Sequence, residues 1–178
     1  MAENLVGELV TLRPVVDAAT VFEQFGDSER CRPVCMALAV RYPFQRTLFD
    51  RWTQDGTMLL WDILDQSQKP CGIATRNTFR GVPSGAAWIA TAEAPPHVIW
   101  DRVEEHDLRN DILLLLARDF FTRESKPQVF FHLFVAKKTA GALTESLEGI
   151  GFDRGLDYSS DVGFSMSRET FNAYYGDT

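Results

Sequence analysis

The sequence predicts an α/β fold of the α+β type: a twisted sheet of about six or seven strands, mixed but mostly antiparallel, with helices on both faces. Three observations predict it. The hydrophobic pattern switches between alternating and helical periods in the order β-α-α-β-β-β-α-β-α-β. Three of those strands follow one another with only turn-length joins, as in an antiparallel meander. Late in the chain, QVFFHLFVA is apolar on both faces, as a strand covered on both sides must be. With 178 residues, 45% of them hydrophobic and 24% charged, the chain matches a single folded domain spanning residues 1–178. No repeat, low-complexity tract or linker divides it.

In chain order, ELVTLRPV at 8–15 alternates apolar and polar residues up to Pro14 and reads as a strand. DAATVFEQFGD follows with Asp17 as N-cap and Val21, Phe22 and Phe25 on one stripe, and Gly26 ends it. CRPVCMALAVRYP has no clean period and reads as irregular, whereas FQRTLFDRWTQ spaces Phe44, Leu48 and Trp52 for a helix stopped by Gly56. The meander is TMLLWDIL, CGIATRNTFR and GAAWIATA, the last ending before Pro95 and Pro96. A helix containing Ile112, Leu115, Leu116 and Phe120 comes next, then the apolar strand from Val129 to Val135. From about Ala140 a helix carries Leu143, Leu147 and Ile150, and Gly151 supplies its left-handed stop. VGFSMS forms the last strand and RETFNAYY a terminal helix.

Charge and cysteine usage exclude several classes of function. A formal charge of −7 argues against a general grip on nucleic acid or on anionic lipid. No run reaches the roughly 18 apolar residues of a membrane span, and MAENLVGE lacks the features of a secretory leader, so a cytoplasmic location is expected. Cys31, Cys35 and Cys71 are read as free thiols, and no second Cys or His pair completes a zinc-type ligand set, so no metal is expected.

Several short stretches carry a resemblance. LVGELVTLRPV, KPCGIATRN, LTESLEGIGF and GFSMSRETF, which together span most of the chain, resemble the GNAT (GCN5-related N-acetyltransferase) superfamily, in particular its ribosomal-protein and small-amine branch. The resemblance implies acetyl-CoA in a V-shaped opening between the fourth and fifth strands, with a small-molecule or peptide amine approaching from the other side. It also implies a homodimer. The fourth strand's backbone, taken as Trp88, Ile89, Ala90 and Thr91, would hold the thioester carbonyl. A glycine-bearing loop would cradle the diphosphate at a helix N-terminus, where unpaired N–H groups and the helix dipole attract anions. That loop falls near Arg102 to Leu108, with Arg102, Val103 and Arg109 as its cofactor contacts.

This loop departs from the family pattern. No glycine occurs between Gly85 and Gly141, and Asp101, Glu104, Glu105, Asp107 and Asp111 place negative charge where the diphosphate would lie. The loop is therefore expected to be degenerate, with a carboxylate such as Asp107 capping the helix in the phosphate's stead. The family's asparagine ahead of the closing helix corresponds to Ala140, and its thiolate-protonating tyrosine to Leu147.

For proton transfer the resemblance points to Glu93, just past the fourth strand, and to His97 after the double proline. Trp61, Trp88 and Tyr158 are the candidates for lining the acceptor cleft, although strand aromatics also serve as core and residues 158–161 also suit a plain turn. His106 reads as a partner of Glu104 or Glu105, and His132, sharing a strand face with Phe130 and Phe134, as a hydrogen-bonded core histidine. Ser146 has no assignable His or Asp to activate it.

Overall fold

The computed structural model describes residues 3–15, 58–78, 93–100, 106–124, 129–159 and 161–176. The two helices expected at 17–27 and 44–54 lie outside them, as do Trp88 to Thr91, Arg102 and Val103. Eight strands are described: β1 Leu5–Val6, β2 Thr11–Pro14, β3 Met58–Leu64, β4 Pro70–Thr78, β5 Glu93–Trp100, β6 Phe130–Ala136, β7 Asp153–Asp157 and β8 Asp161–Ser167. Three helices join them, α1 His106–Arg123, α2 Lys137–Gly149 and α3 Arg168–Tyr175. The strands form two sheets, β1-β2-β3-β4-β5 and β6-β8-β7, and every ladder among the described residues is antiparallel.

Four details differ from the sequence reading, each for a physical reason. The opening strand is broken in two, because the chain folds into a turn in which the Gly7 N–H donates to the Val10 carbonyl at 2.9 Å. The strand beside β4 is β5, and it contains Pro95 and Pro96 instead of ending before them. The register explains how: Thr75 faces His97 but Asn77 faces Ala94, so both prolines fall in a β-bulge, where the missing N–H groups break no ladder. Helix α1 begins at His106, well ahead of Ile112, which places His106, Asp107 and Leu108 in its first turn instead of in the loop expected near Arg102 to Leu108. Finally β7, whose five residues are all exposed, carries no apolar alternation to mark it as a strand.

The core lies between the sheets and α1. Along β6, Phe131, Leu133 and Val135 are buried and face Met166, Phe164 and Val162 of β8, which are buried too. Phe131 packs its ring against Phe120 of α1 at 5.7 Å and Phe152 at 6.1 Å. Helix α1 is buried over most of its circumference through Ile112, Leu113, Leu115, Leu116, Ala117, Phe120 and Phe121, which is the signature of a central helix. Its C-terminus is closed by Arg168, whose guanidinium donates to the carbonyls of Phe121 (2.8 Å) and Glu124 and lies over the Phe121 ring.

Helix α2 ends as expected. The Phe152 N–H donates to the Leu147 carbonyl and the Gly151 N–H to that of Glu148, a Schellman closure with Gly151 at φ +92°. The paired apolar residues Leu147 and Phe152 are both fully buried. A Cβ at position 151 would meet Thr170 Cγ2 at 3.2 Å in a backbone conformation that L-residues resist. Gly151→Ala is therefore expected to cost about 1–2 kcal/mol and to lower the melting temperature by a few degrees, read by circular dichroism. Ser167 caps α3 by accepting from the Thr170 N–H at 2.9 Å.

Candidate functional site: the parting between two sheets

Strands β5 and β6 are the facing edges of the two sheets. They lie side by side, yet no ladder joins them among the described residues. On its inner edge β5 pairs with β4, so the alternate backbone groups outside the proline bulge are turned toward β6, and no ladder among the described residues receives them. A few residues after β5 the chain enters α1, so a strand edge that no described ladder extends and a helix N-terminus follow in quick succession. An edge of that kind binds a molecule bearing amides in an extended conformation; a helix start of that kind binds an anion.

Electrostatics at the helix start are divided. Asp107 is exposed in the first turn, where a carboxylate suits the positive end of the helix, two residues past the N-cap position. Arg109 is half-buried, and burial holds its guanidinium below its ordinary value. Asp111 plays no part at the doorway. Its carboxylate accepts from three successive backbone N–H groups of the β1–β2 turn: Glu8 at 3.2 Å, Leu9 at 2.8 Å and Val10 at 3.0 Å. The turn is a nest for an anion, and the protein supplies the anion itself. Nothing in the local sequence announces this, since the partners are about a hundred residues apart.

The other candidates fall as follows. Glu93 and His97 are both residues of β5, on either side of the proline bulge and opposite Thr78 and Thr75. Trp61 is 2% exposed and belongs to the main core cluster, so its placement favours packing. Tyr158 is exposed at the β7–β8 turn, where its N–H donates to the Asp161 carbonyl at 2.7 Å. Ser146 of α2 accepts from Asn110 Nδ2 of α1 at 2.9 Å, tying together the two helices that follow β5 and β6. Ala140 and Leu147 are buried within α2. Among the described residues, no group of three His, Cys, Asp or Glu side chains is placed to hold a metal ion, and no helix is long and apolar enough to cross a membrane.

His132 differs from the sequence reading. It stands on the face of β6 opposite the core-facing Phe131 and Leu133, beside Phe130 at 6.1 Å between ring centres. Its cross-strand neighbour is Ser165. Its Nε2 is buried and has no hydrogen-bond partner among the described residues. Desolvation pulls the imidazole below its ordinary value, which is about 6.5. In the folded chain His132 thus resists protonation that the unfolded chain accepts. Its contribution to stability is complete above about pH 6.5 and is lost as pH falls toward the lowered folded value. Relative to His132→Phe, the wild-type chain is expected to lose stability through that window, measured by urea unfolding at a series of pH values.

A groove of about 790 Å³ opens between the β1–β2 turn, α1 and α3, lined by Leu9, Asp107, Asp111, Arg118, Ile150 and Tyr175 among others. Among the described residues, none of its lining belongs to β5 or β6.

No family model and no curated protein matches the sequence. Solved structures match its fold. A nucleotide-linked sugar GNAT, FdhC in its apo form, superposes with a TM-score of 0.65 at 11% identity, over 97% of this chain and 94% of that one. A chimera of the spermidine N-acetyltransferase SpeG from Vibrio cholerae and hSSAT gives 0.61 at 12% identity, over 92% and 98%. AAC(6')-Ib, solved with acetyl-CoA, gives 0.57 at 15% identity, over 95% and 99%; a second complex holds ribostamycin and coenzyme A.

Proposed function

We propose that this chain, which has the GNAT fold, transfers an acetyl or other acyl group from acyl-CoA to a small-molecule or peptide amine. The observation that carries the reading is the parting of β5 from β6, which leaves a strand edge open directly ahead of a helix N-terminus. Bound there, acyl-CoA supplies an activated acyl group. The residues present fit its pantetheine arm, because β5 has amide and carbonyl groups along an edge that no ladder among the described residues extends. The carbonyl-polarising backbone is then read as the part of β5 following the bulge, instead of Trp88 to Thr91, since β5 is the strand that borders the opening. Arg102, Val103 and the N-terminal turn of α1 are read as the diphosphate contacts, with Arg109 behind them.

Glu93 or His97 takes the proton that the amine gives up; both belong to the strand that would hold the acyl group. Positioning two bound reactants supplies much of the remaining acceleration. The reading includes a homodimer in the cytoplasm and needs neither metal nor nucleic acid. Coenzyme A copurifying with the native protein, detected by mass spectrometry, supports it. Arg102→Glu is expected to abolish that retention, and undiminished retention would remove Arg102 from the site.

A second reading has its own support: a GNAT-fold protein without acyl transfer, acting as a binding or assembly subunit or on another ligand. The stretch from Gly85 to Gly141 has no glycine between its ends, and Asp101, Glu104, Glu105 and Asp107 oppose a diphosphate even with Asp111 committed elsewhere. Absence of acetyl-CoA binding under all ionic strengths selects it.

A further inference from the structure

We propose that His132 is an acceptor-binding residue, its Nε2 accepting a hydrogen bond from the amine N–H on the β6 side of the parting; this rests on the acyltransfer reading. Three observations converge on it. β6 is the edge strand that faces β5 across the opening, and His132 lies two residues inside its start. Its side chain is on the face of β6 opposite Phe131, Leu133 and Val135, the buried residues that meet α1 and β8 among the described residues. Its Nε2 is sheltered and unpartnered among the described residues, whereas buried ring nitrogens are ordinarily bonded. Leaving such an atom unsatisfied is a standing cost to the fold, which a donor arriving with a ligand removes.

The chemistry selects the ligand class. A neutral imidazole with its proton on Nδ1 presents Nε2 as an acceptor. A neutral primary amine brings two N–H donors and needs only one for this contact, so its lone pair stays free to attack the acyl carbonyl and its other proton to pass to Glu93 or His97. Among the described residues its neighbours on this face are aromatic Phe130 on the same strand and the small Gly163, Ser165 and Ser167 along β8, which suit a polar guest of modest size. His132 is thus a recognition group; proton transfer does not require it.

The test compares two variants of the full chain. His132→Phe keeps the bulk and removes the acceptor atom; His132→Gln retains an acceptor oxygen near the position of Nε2. Spermidine and ribostamycin serve as probes in the presence of coenzyme A, which has no acyl group to transfer, by calorimetry and by the imidazole nitrogen resonances of ¹⁵N-histidine-labelled protein. The expected result is a shift of the His132 resonance by at least one amine, about tenfold weaker binding of that amine to His132→Phe, and near-normal binding to His132→Gln. His132→Phe should melt at or above the wild-type temperature, because removing an unsatisfied buried nitrogen costs the fold nothing. A His132 resonance that neither amine moves, or equal amine binding by His132→Phe, overturns the assignment. Acetyl-CoA affinity is measured separately in each variant. Its retention confines a negative result to His132, and its absence from the wild-type chain defeats the acyltransfer reading and this assignment together.

Discussion

Asp111→Ala is expected to lower the melting temperature by about 10 °C. The carboxylate receives three backbone N–H groups that have no other acceptor in the turn between β1 and β2. Bonds to an ionised acceptor contribute about 1.5–3 kcal/mol each, and bonds sharing one carboxylate do not add in full, so a loss of roughly 3 kcal/mol is reasonable. For a domain of this size each kcal/mol corresponds to about 2–4 °C. Gly7 provides an internal control. A Cβ there would collide with both carboxylate oxygens of Asp111, so Gly7→Ala should be costly alone and nearly free in the Asp111→Ala background. Additive losses in that cycle, or a change under about 2 °C for Asp111→Ala, would mean that the contact contributes little.

Neutralising the approach to α1 should produce the largest functional change. The combined replacement Asp101→Asn, Glu104→Gln, Glu105→Gln and Asp107→Asn is expected to raise acetyl-CoA affinity at least tenfold. Two like charges about 4 Å apart repel by roughly 1 kcal/mol in bulk water and more where the surroundings are less polar, and each 1.4 kcal/mol is a factor of ten. Of the four residues, Asp107 is seen exposed in the first turn, where it loses some helix-dipole stabilisation on neutralisation. The gain in affinity should shrink as salt is added, since these charges meet solvent. An unchanged affinity at low salt would show that the diphosphate does not approach this helix end.

Much of the fold was legible because local pattern and tertiary role agree. The closure of α2 at Gly151, the cap at Ser167 and the apolar run of β6 each carry their cause within a few residues. Two features misled. Prolines at 95 and 96 signal the end of a strand in isolation, and only the register with β4 reveals a bulge that accommodates them. β7 is short and wholly exposed, so it has no hydrophobic period to read.

The site was less legible than the fold. Asp111 looked like one more acid at a doorway because its partners, Glu8 to Val10, lie at the other end of the chain. His132 looked like a satisfied core histidine because burial and bonding usually go together; the alternation of β6 placed it correctly on a face, while the absence of a partner for Nε2 is a property of three-dimensional surroundings. Trp61 shows the converse: an aromatic on a meander strand suits a cleft or a core equally in sequence, and packing places it in the core cluster.

The edge of β5 that faces β6, together with the start of α1, is proposed as an acyl-CoA site. Calorimetric titration of the wild-type chain with acetyl-CoA at low and moderate salt tests this. One-to-one binding is expected, with a micromolar dissociation constant that weakens when Arg102 is replaced by glutamate. No detectable heat at either salt concentration would contradict it and leave a GNAT fold serving another ligand.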